Sequence, residues 1–197
     1  MQFVVAQFFV IASLLIGLQL KFMMNKHLGF EHNAIVNIPL PNTIRSGLNK
    51  DPNVLVNSLK SDAKIQDVAL GIMPLSKYYS ALDLKIDDVT KIQTNRKIVG
   101  ERYGRLFNLK LLAGRDLLIK DPISGIAITR RTSELLGFNN PTLAIGKIIR
   151  TNESKIESRE IVGVYNDFNS NSLHSEIKPV TFTTEYNHPS LYYMNIK

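Results

Sequence analysis

Oxygen-bearing side chains occupy alternate positions in one short stretch of the sequence, Asp167-Phe-Asn169-Ser-Asn171-Ser. This spacing matches the first three ligand positions of an EF-hand calcium loop. The rest of that loop is missing, because Ser172 stands where the loop requires glycine and Lys178 stands where it requires a bidentate glutamate. A lysine at that position repels Ca²⁺, so we expect no metal here. Asn, Asp and Ser favour turns, and the stretch is interpreted as a polar turn that follows a strand.

Candidate catalytic groups do not form a recognisable constellation. The four histidines are His27, His32, His174 and His188. None of them belongs to an HExxH or HxH pair, the spacings with which histidines commonly hold a metal. His174 and Glu176 could serve as a base and its orienting group, but no GxSxG motif or equivalent supplies a nucleophile. Since the chain also has no cysteine, we expect no catalytic residue, no bound cofactor and no metal.

Nucleotide and nucleic-acid binding are not expected either. The sequence has no GxxxxGK[ST] loop, and Gly146-Lys147 is followed by Ile148 where that loop needs Ser or Thr. The net charge is +7, with 24 basic and 17 acidic residues, but the two signs are interspersed. The tight basic pair Arg130-Arg131 has no aromatic residue beside it on which a base could stack.

Residues 1–20 contain no charged side chain. A helix from Phe3 to Leu20 would be roughly 27 Å long, close to the hydrocarbon thickness of about 30 Å, and Lys21 could extend its side chain to the interface. We therefore predict a transmembrane helix over 1–24. A signal peptide, the main alternative, would carry a basic segment after Met1 and a small-x-small cleavage site. By the positive-inside rule alone, Lys21 and Lys26 would place the following domain in the cytoplasm.

The remaining residues predict an α+β domain. A strand over Ala34–Leu40, a helix that continues over Val54–Ala63, and a strand over Ile65–Met73 form a βαβ unit. Asp51 is predicted to cap that helix, with Pro52 as its first residue. Further along, a helix is predicted within 100–116, with an extended Phe107–Leu112 as the alternative, and a short helix over Thr132–Leu136. The predicted later strands are Asp88–Gln93, Ile126–Thr129, Lys147–Thr151, Ser158–Tyr165, Lys178–Thr184 and Leu191–Ile196, of which Lys147–Thr151 and Ser158–Tyr165 form a hairpin.

Several segments, taken in order, resemble a known family. They are VVAQFFVIASLLIG, LQLKFMMNKHLGF at 18–30, a strand that ends in IPLP, YGRLFNLKLLAGRD at 103–116, IAITRRTSELLGFNNPTLAIGKII at 126–149 and IVGVYNDFNSNSLHSEIKP at 161–179. Together they are similar to the MacB/FtsX family of ABC transporter permeases, in particular to the MacB-like periplasmic core domain of its Bacteroidetes-type branch. The resemblance covers nearly the whole chain.

The resemblance implies a membrane helix followed by a periplasmic core domain over 25–197, truncated at its C-terminus. Its first subdomain would comprise 30–84 plus 166–197, with an inserted β-rich subdomain over 85–165. The chain would relay conformational change between an ATPase-driven membrane domain and a substrate or partner, in export or efflux. ATP would be bound by a separate subunit or domain. The expected partners are that ATPase, the remaining permease helices and a second permease, and the expected location is the inner membrane with residues after about 25 in the periplasm.

The family's motif residues imply an architectural role. The landmarks are Gly29, Gly114, Gly137, Gly146, Asp167 and Pro179. We predict that Gly29 ends the membrane helix, that Gly114 and Gly137 end short helical segments, and that Gly146 forms a turn. Asp167 is predicted to cap backbone amides where the two subdomains join. The alternative function is a membrane-anchored sensor or solute-binding domain with a ligand pocket between the subdomains.

Overall fold

The computed structural model describes residues 2–26, 28–40, 52–76, 79–87, 90–118, 125–152, 158–171, 175–185 and 193–197. Its fold is α+β, as predicted, and consists of one long helix, a small three-stranded sheet and a larger seven-stranded sheet.

The first element is a helix, α1, over Gln2–Asn25, and none of its side chains is buried. Within the described residues it is the one helix long and apolar enough to cross a membrane. An uninterrupted apolar surface suits a lipid environment, because the backbone is satisfied within the helix and the side chains need no polar partner. The predicted apolar helix over 1–24 is therefore confirmed as a helix, which ends at Asn25.

The small sheet has the strand order β1-β10-β2, and a helix packs against it. Its elements are β1 (Val36–Pro39), α2 (Pro52–Lys60), β2 (Val68–Leu70) and β10 (Tyr193–Ile196). Both β1 and β2 are antiparallel to β10, so they run parallel to each other with β10 between them. The predicted βαβ unit is present, but the last strand of the chain separates its two strands. The helix begins at Pro52 as predicted, and Asp51 lies outside the described residues.

The large sheet closes into a barrel. Its strands are β3 (Ser80–Lys85), β4 (Lys91–Ile98), β5 (Leu111–Gly114), β6 (Gly125–Thr129), β7 (Ile148–Thr151), β8 (Ser158–Tyr165) and β9 (Val180–Thr183). They lie in the order β5-β8-β6-β9-β4-β3-β7, and β7 also pairs with β8, which closes the ring. Three short helices accompany these strands, α3 (Tyr103–Leu106), α4 (Arg130–Leu135) and α5 (Pro141–Ala144).

Alternating side chains of the barrel strands divide into two apolar cores. Inside the ring lie Leu82, Leu84, Ile126, Ile128, Ile149, Ile161 and Val164. The outer core is largely aromatic and contains Phe30, Tyr103, Phe107, Tyr165, Phe168 and Phe182. On β6, for example, Ile126 and Ile128 belong to the inner core and Ala127 to the outer one. A strand buried on both faces needs apolar residues at successive positions, as IAI in β6 provides.

Most of the helix predicted within 100–116 is absent, and the extended alternative for Phe107–Leu112 is present only from Leu111 onward. Only Tyr103–Leu106 is helical, and Leu111–Gly114 is a strand paired with β8. Arg102 and Asn108 have φ angles of 63° and 49°, in the left-handed region that interrupts a right-handed helix. Gly114 consequently ends a strand and not a helical segment.

The division into two sheets differs from the predicted subdomain boundaries of 30–84 plus 166–197 and 85–165. The strand β3, which ends at Lys85, pairs with β4 and β7 in the barrel. After the Asp167 turn, β9 enters the barrel between β4 and β6, and only β10 returns to the small sheet. The reason is burial, because Val180 and Phe182 of β9 belong to the aromatic outer core on the barrel wall.

Candidate functional site

The candidate site is the place where the chain that leaves α1 enters the folded domain. We call it the junction, and it comprises residues 28–31, Phe107 and residues 167–169. Phe30 is its centre, with only 3% of its surface exposed. Its ring packs edge to face against Phe107 and Phe168, with centroids 6.3 and 6.2 Å apart. Burial of a phenylalanine with two such aromatic contacts stabilises the attachment by several kcal/mol, on the order of 3–5.

Backbone hydrogen bonds hold the same segment on both sides of Phe30. The carbonyl of Leu28 accepts a hydrogen bond from the Asn169 amide at 2.8 Å, and the Glu31 amide donates to the Phe107 carbonyl at 2.7 Å. The segment therefore cannot slide past the domain without breaking both bonds and moving Phe30 out of the core.

Gly29 lies between these contacts and has a φ angle of 90°. A Cβ at this position would come within 2.8 Å of the Phe168 Cα, closer than carbon atoms pack. The helix ends at Asn25, so the prediction that Gly29 ends it is wrong by four residues. The glycine is required by the close approach of two backbones, with φ in a region that favours glycine.

Asp167 joins the junction to α4. Its Oδ1 accepts a hydrogen bond from the Arg131 amide at 2.8 Å, and its Oδ2 accepts one from Arg130 Nε at 3.2 Å. The first of these is a backbone cap of the predicted kind, and the second is an ion pair. Both carboxylate oxygens are thus engaged with one helix end. Among the described residues, no group of three or more metal-ligating side chains is present.

The other landmark residues shape turns and strand ends. Gly137, with a φ angle of 91°, directly follows the last turn of α4, as predicted. Gly146, with a φ angle of 78°, forms the predicted turn before β7 and donates its amide to the Ile161 carbonyl. Pro179 precedes β9, and its carbonyl accepts a hydrogen bond from the Asn95 amide at 2.9 Å.

Two of the residues considered for catalysis lie in the part of the chain that the structure describes. Glu176 and His32 are exposed, and His27, His174 and His188 lie outside the described residues. The sequence interpretation missed the aromatic side chains that form the junction, Phe30, Phe107 and Phe168. The signal that could have revealed Phe168 is its position as a single apolar residue within a polar turn, where burial is its one means of contributing to stability.

A small cleft lies at the barrel wall beside α3. It is lined by Arg102, Tyr103, Gly104, Asp116 and Tyr165, together with Val99, Gly100, Leu109, Leu117 and Phe182. The Tyr165 hydroxyl donates a hydrogen bond to Asp116. Burial raises the pKa of Asp116, and the positive charge of Arg105 partly opposes that rise. The space in this cleft that a water molecule could enter is about 10 Å³, far below the volume of typical ligand pockets, about 300–1,000 Å³.

The small sheet is fastened to the barrel by polar contacts near this cleft. Asp67, at the start of β2, is buried and accepts a hydrogen bond from Arg102 Nη1 at 3.3 Å. The chain that crosses from β2 to β3 is held by two side chains, since the Tyr103 hydroxyl donates to the Ile72 carbonyl and Lys97 Nζ donates to the Ser76 carbonyl. These bonds hold the small sheet against the barrel.

Replacing Asp167 with alanine is expected to lower the free energy of unfolding by about 0.5–2 kcal/mol, since a backbone cap is lost. Thermal unfolding of the full chain in detergent micelles measures this loss. Glu176→Ala is the matched control, because it removes one exposed negative charge without removing a cap. Equal melting temperatures for Asp167→Ala and the wild type would show that the cap does not stabilise α4.

Comparison with solved structures places the fold. The chain matches the periplasmic region of MacB from Actinobacillus actinomycetemcomitans, with 17% identity, 89% of this chain and 78% of that chain covered, and a TM-score of 0.55. It also matches the extracellular domain of the noncanonic ABC-type transporter YknZ from Gram-positive bacteria, with 12% identity, coverages of 83% and 82%, and a TM-score of 0.52. A domain of a Porphyromonas gingivalis protein assigned as a permease matches with 14% identity, coverages of 73% and 66%, and a TM-score of 0.52.

No family model and no curated protein matches the sequence. The likeness therefore rests on structure, and it agrees with the family that the sequence segments resemble. With its sheets, its junction and these neighbours taken together, the chain has the fold of the MacB-like periplasmic domain of ABC transporter permeases, preceded by an apolar helix.

Proposed function

We propose that the chain is the membrane-anchored, extracytoplasmic part of an ABC transporter permease that relays conformational change between the membrane domain and a substrate or partner. The junction is the observation that carries this proposal. Its backbone bonds and the buried Phe30 ring fix residues 28–31, which follow α1 closely in the chain, to the domain. This attachment favours transmission of a displacement of the helix end to the domain.

The contacts define a route for that displacement. The displacement passes from Leu28 to Asn169 through a backbone hydrogen bond. Phe168, the residue before Asn169, is buried and moves with it. Asp167 then connects it to α4 through the Arg131 amide. Packed side chains and hydrogen bonds of this kind carry coupling between distant sites when the elements have two discrete arrangements.

The rest of the proposal follows from the sequence and the fold. No nucleotide-binding loop is found in the sequence, and in this proposal a cytoplasmic ATPase subunit or domain supplies the energy. Further permease helices, and a second permease copy, complete the transporter. The domain lies on the periplasmic side of the inner membrane, and transport is outward. The chain binds no cofactor and is not an enzyme.

The test is to uncouple the helix from the domain without unfolding either. Two glycines are inserted after Asn25, between α1 and the junction, in the full chain expressed in its native membrane and purified with its partners. We expect an ATPase to co-purify with the wild type, and we expect ATP to change amide hydrogen exchange in the barrel. The insertion should remove that ATP response while leaving the exchange pattern of the resting domain unchanged.

The matched control is the same insertion after Ser61, in an exposed turn beyond α2 and away from the junction. It should retain the ATP response. The proposal would be refuted by a co-purifying kinase or regulator in place of an ATPase, which is the outcome the sensor alternative predicts. A normal ATP response in the Asn25 insertion would refute the relay through the junction.

A further inference from the structure

We propose that one end of the barrel docks on the headgroups of anionic phospholipids in the membrane that α1 spans. This inference rests on the membrane anchoring in the proposed function and adds a partner to it. It is argued from the position of the junction in the barrel and from the charged side chains around it.

Strand directions define the end in question. The parallel strands β6 and β8 end side by side at Thr129 and Tyr165, and the antiparallel strands β5 and β9 begin next to them. Asn169, which binds Leu28, follows Tyr165 by four residues. The chain from the membrane therefore enters the domain at this end, which we call the junction end.

The junction end lies close to the bilayer. Two residues lie between Asn25, the last residue of α1, and Leu28, and the three Cα-to-Cα steps can span at most about 11 Å. The headgroup region adds roughly 5–8 Å to the hydrocarbon core on each side. Side chains at the junction end are thus within reach of the headgroups when the domain leans on the membrane.

The segments at this end carry basic side chains. They are Lys110 before β5, Arg130 and Arg131 after β6, and Lys178 before β9. The acids nearby are Glu134 and Asp167, which pair with the two arginines, together with Glu176 and Glu31 of the junction. Neither Lys110 nor Lys178 forms an ion pair with another described residue. The charges of the domain are balanced at this end, and the excess positive charge comes from Lys21 and Lys26.

Two further features favour a lipid surface over a soluble anion. Lys21 lies near the C-terminal end of α1, Lys26 directly follows the helix, and the sequence has no acid before Glu31, so the positive charge continues from the helix to the domain. Ile177, beside Lys178, is 41% exposed and can insert between headgroups. Juxtamembrane basic residues with an adjacent apolar side chain are attracted to anionic bilayers.

The experiment uses the absence of cysteine in the chain. Ser175→Cys at the junction end, or Ser158→Cys at the opposite end of the barrel, is labelled with a fluorophore in the full chain. The chain is reconstituted in nanodiscs of phosphatidylcholine, with or without phosphatidylglycerol, that contain a lipid with a nitroxide on its headgroup. We expect phosphatidylglycerol to increase quenching at position 175 but not at 158, and we expect salt to reverse the effect.

Lys110→Gln with Lys178→Gln should reduce the ratio of docked to undocked molecules by roughly fivefold for each lysine. The matched control is Lys64→Gln with Lys197→Gln, which removes the same charge from the small sheet and its approach. The inference is overturned if quenching at position 175 does not depend on phosphatidylglycerol. It is also overturned if quenching falls equally in both double variants. Because no ATPase is present, that failure is distinct from a failure of the relay, which is measured by the ATP response.

Discussion

Replacing Gly29 with alanine is expected to lower the free energy of unfolding of the domain by about 2–5 kcal/mol. Two effects add. The left-handed backbone conformation of Gly29 costs an alanine roughly 1–2 kcal/mol, and the new Cβ would lie 2.8 Å from the Phe168 Cα, an overlap relieved only by backbone shifts that cost about 1–3 kcal/mol. Because the contact is made by the backbone Cα of Phe168, no rotation of a side chain can relieve the overlap.

Gly137→Ala is the matched control for this prediction. Gly137 has nearly the same φ angle, 91° against 90°, but a Cβ there would have no heavy atom within 4 Å. It therefore reports the backbone effect alone, and the difference between the two variants reports the contact with Phe168. Thermal unfolding and amide exchange of the full chain in nanodiscs measure both. Equal losses in the two variants would show that the junction tolerates a side chain at position 29.

The Gly29 variant also separates attachment from anchoring. Helix α1 has no buried side chain and no contact that depends on Gly29, so membrane insertion should be unchanged. Amide exchange should instead increase at Asn169 and Glu31, whose amides donate across the junction. Increased exchange confined to the small sheet would contradict the assigned role of this glycine.

Local patterns predicted the elements that depend on neighbours in the sequence. The apolar helix α1, the short helix α4 with Gly137 after it, and the hairpin of β7 and β8 are all present. The helix prediction for 100–116 failed because the spacing of apolar residues in a Leu-rich segment fits a helix and a buried strand equally well. Its outcome is set by pairing of Leu111–Gly114 with β8, a partner about fifty residues away that periodicity cannot identify.

Nonlocal pairing also explains the parts of the site that the sequence did not predict. The strand β10 inserts between β1 and β2 from the far end of the chain, and β9 enters the barrel, because each buries a face there. Gly29 was identified as a special position from its place after an apolar helix. Its physical reason, the approach of Phe168, depends on a contact between residues more than a hundred positions apart.

A buried lysine makes the stability of the domain depend on pH. Lys97 on β4 is 3% exposed and its Nζ donates to the Ser76 carbonyl at 3.3 Å. Burial lowers the pKa of Lys97 from 10.5 to about 8. Nothing in the alternation of NRKIVG marks this lysine as buried, since its neighbour Arg96 is also basic and ion-paired to Glu185.

We expect the stability of the wild type to rise with pH between about 8 and 10.5, relative to a Lys97→Met variant. In this window the unfolded chain binds the proton and the folded chain does not, so the free energy of unfolding increases with pH. Below the folded pKa both states are charged and the penalty of burying the ammonium is complete. At about 1.4 kcal/mol for each pKa unit, that penalty is on the order of 3 kcal/mol.

Lys97→Met should therefore be more stable than the wild type at pH 7, by up to about 2 kcal/mol once the hydrogen bond to Ser76 is lost. The difference should shrink as the pH approaches 10.5, above which the lysine is neutral in both states. Urea unfolding of the full chain in micelles at several pH values measures it, and the exposed Lys64→Met serves as the control with no pH-dependent difference. A Lys97→Met variant that is less stable than the wild type at pH 7 would contradict this prediction. It would mean that the interactions of the charged amine outweigh its burial penalty, so that Lys97 stabilises the chain between β2 and β3.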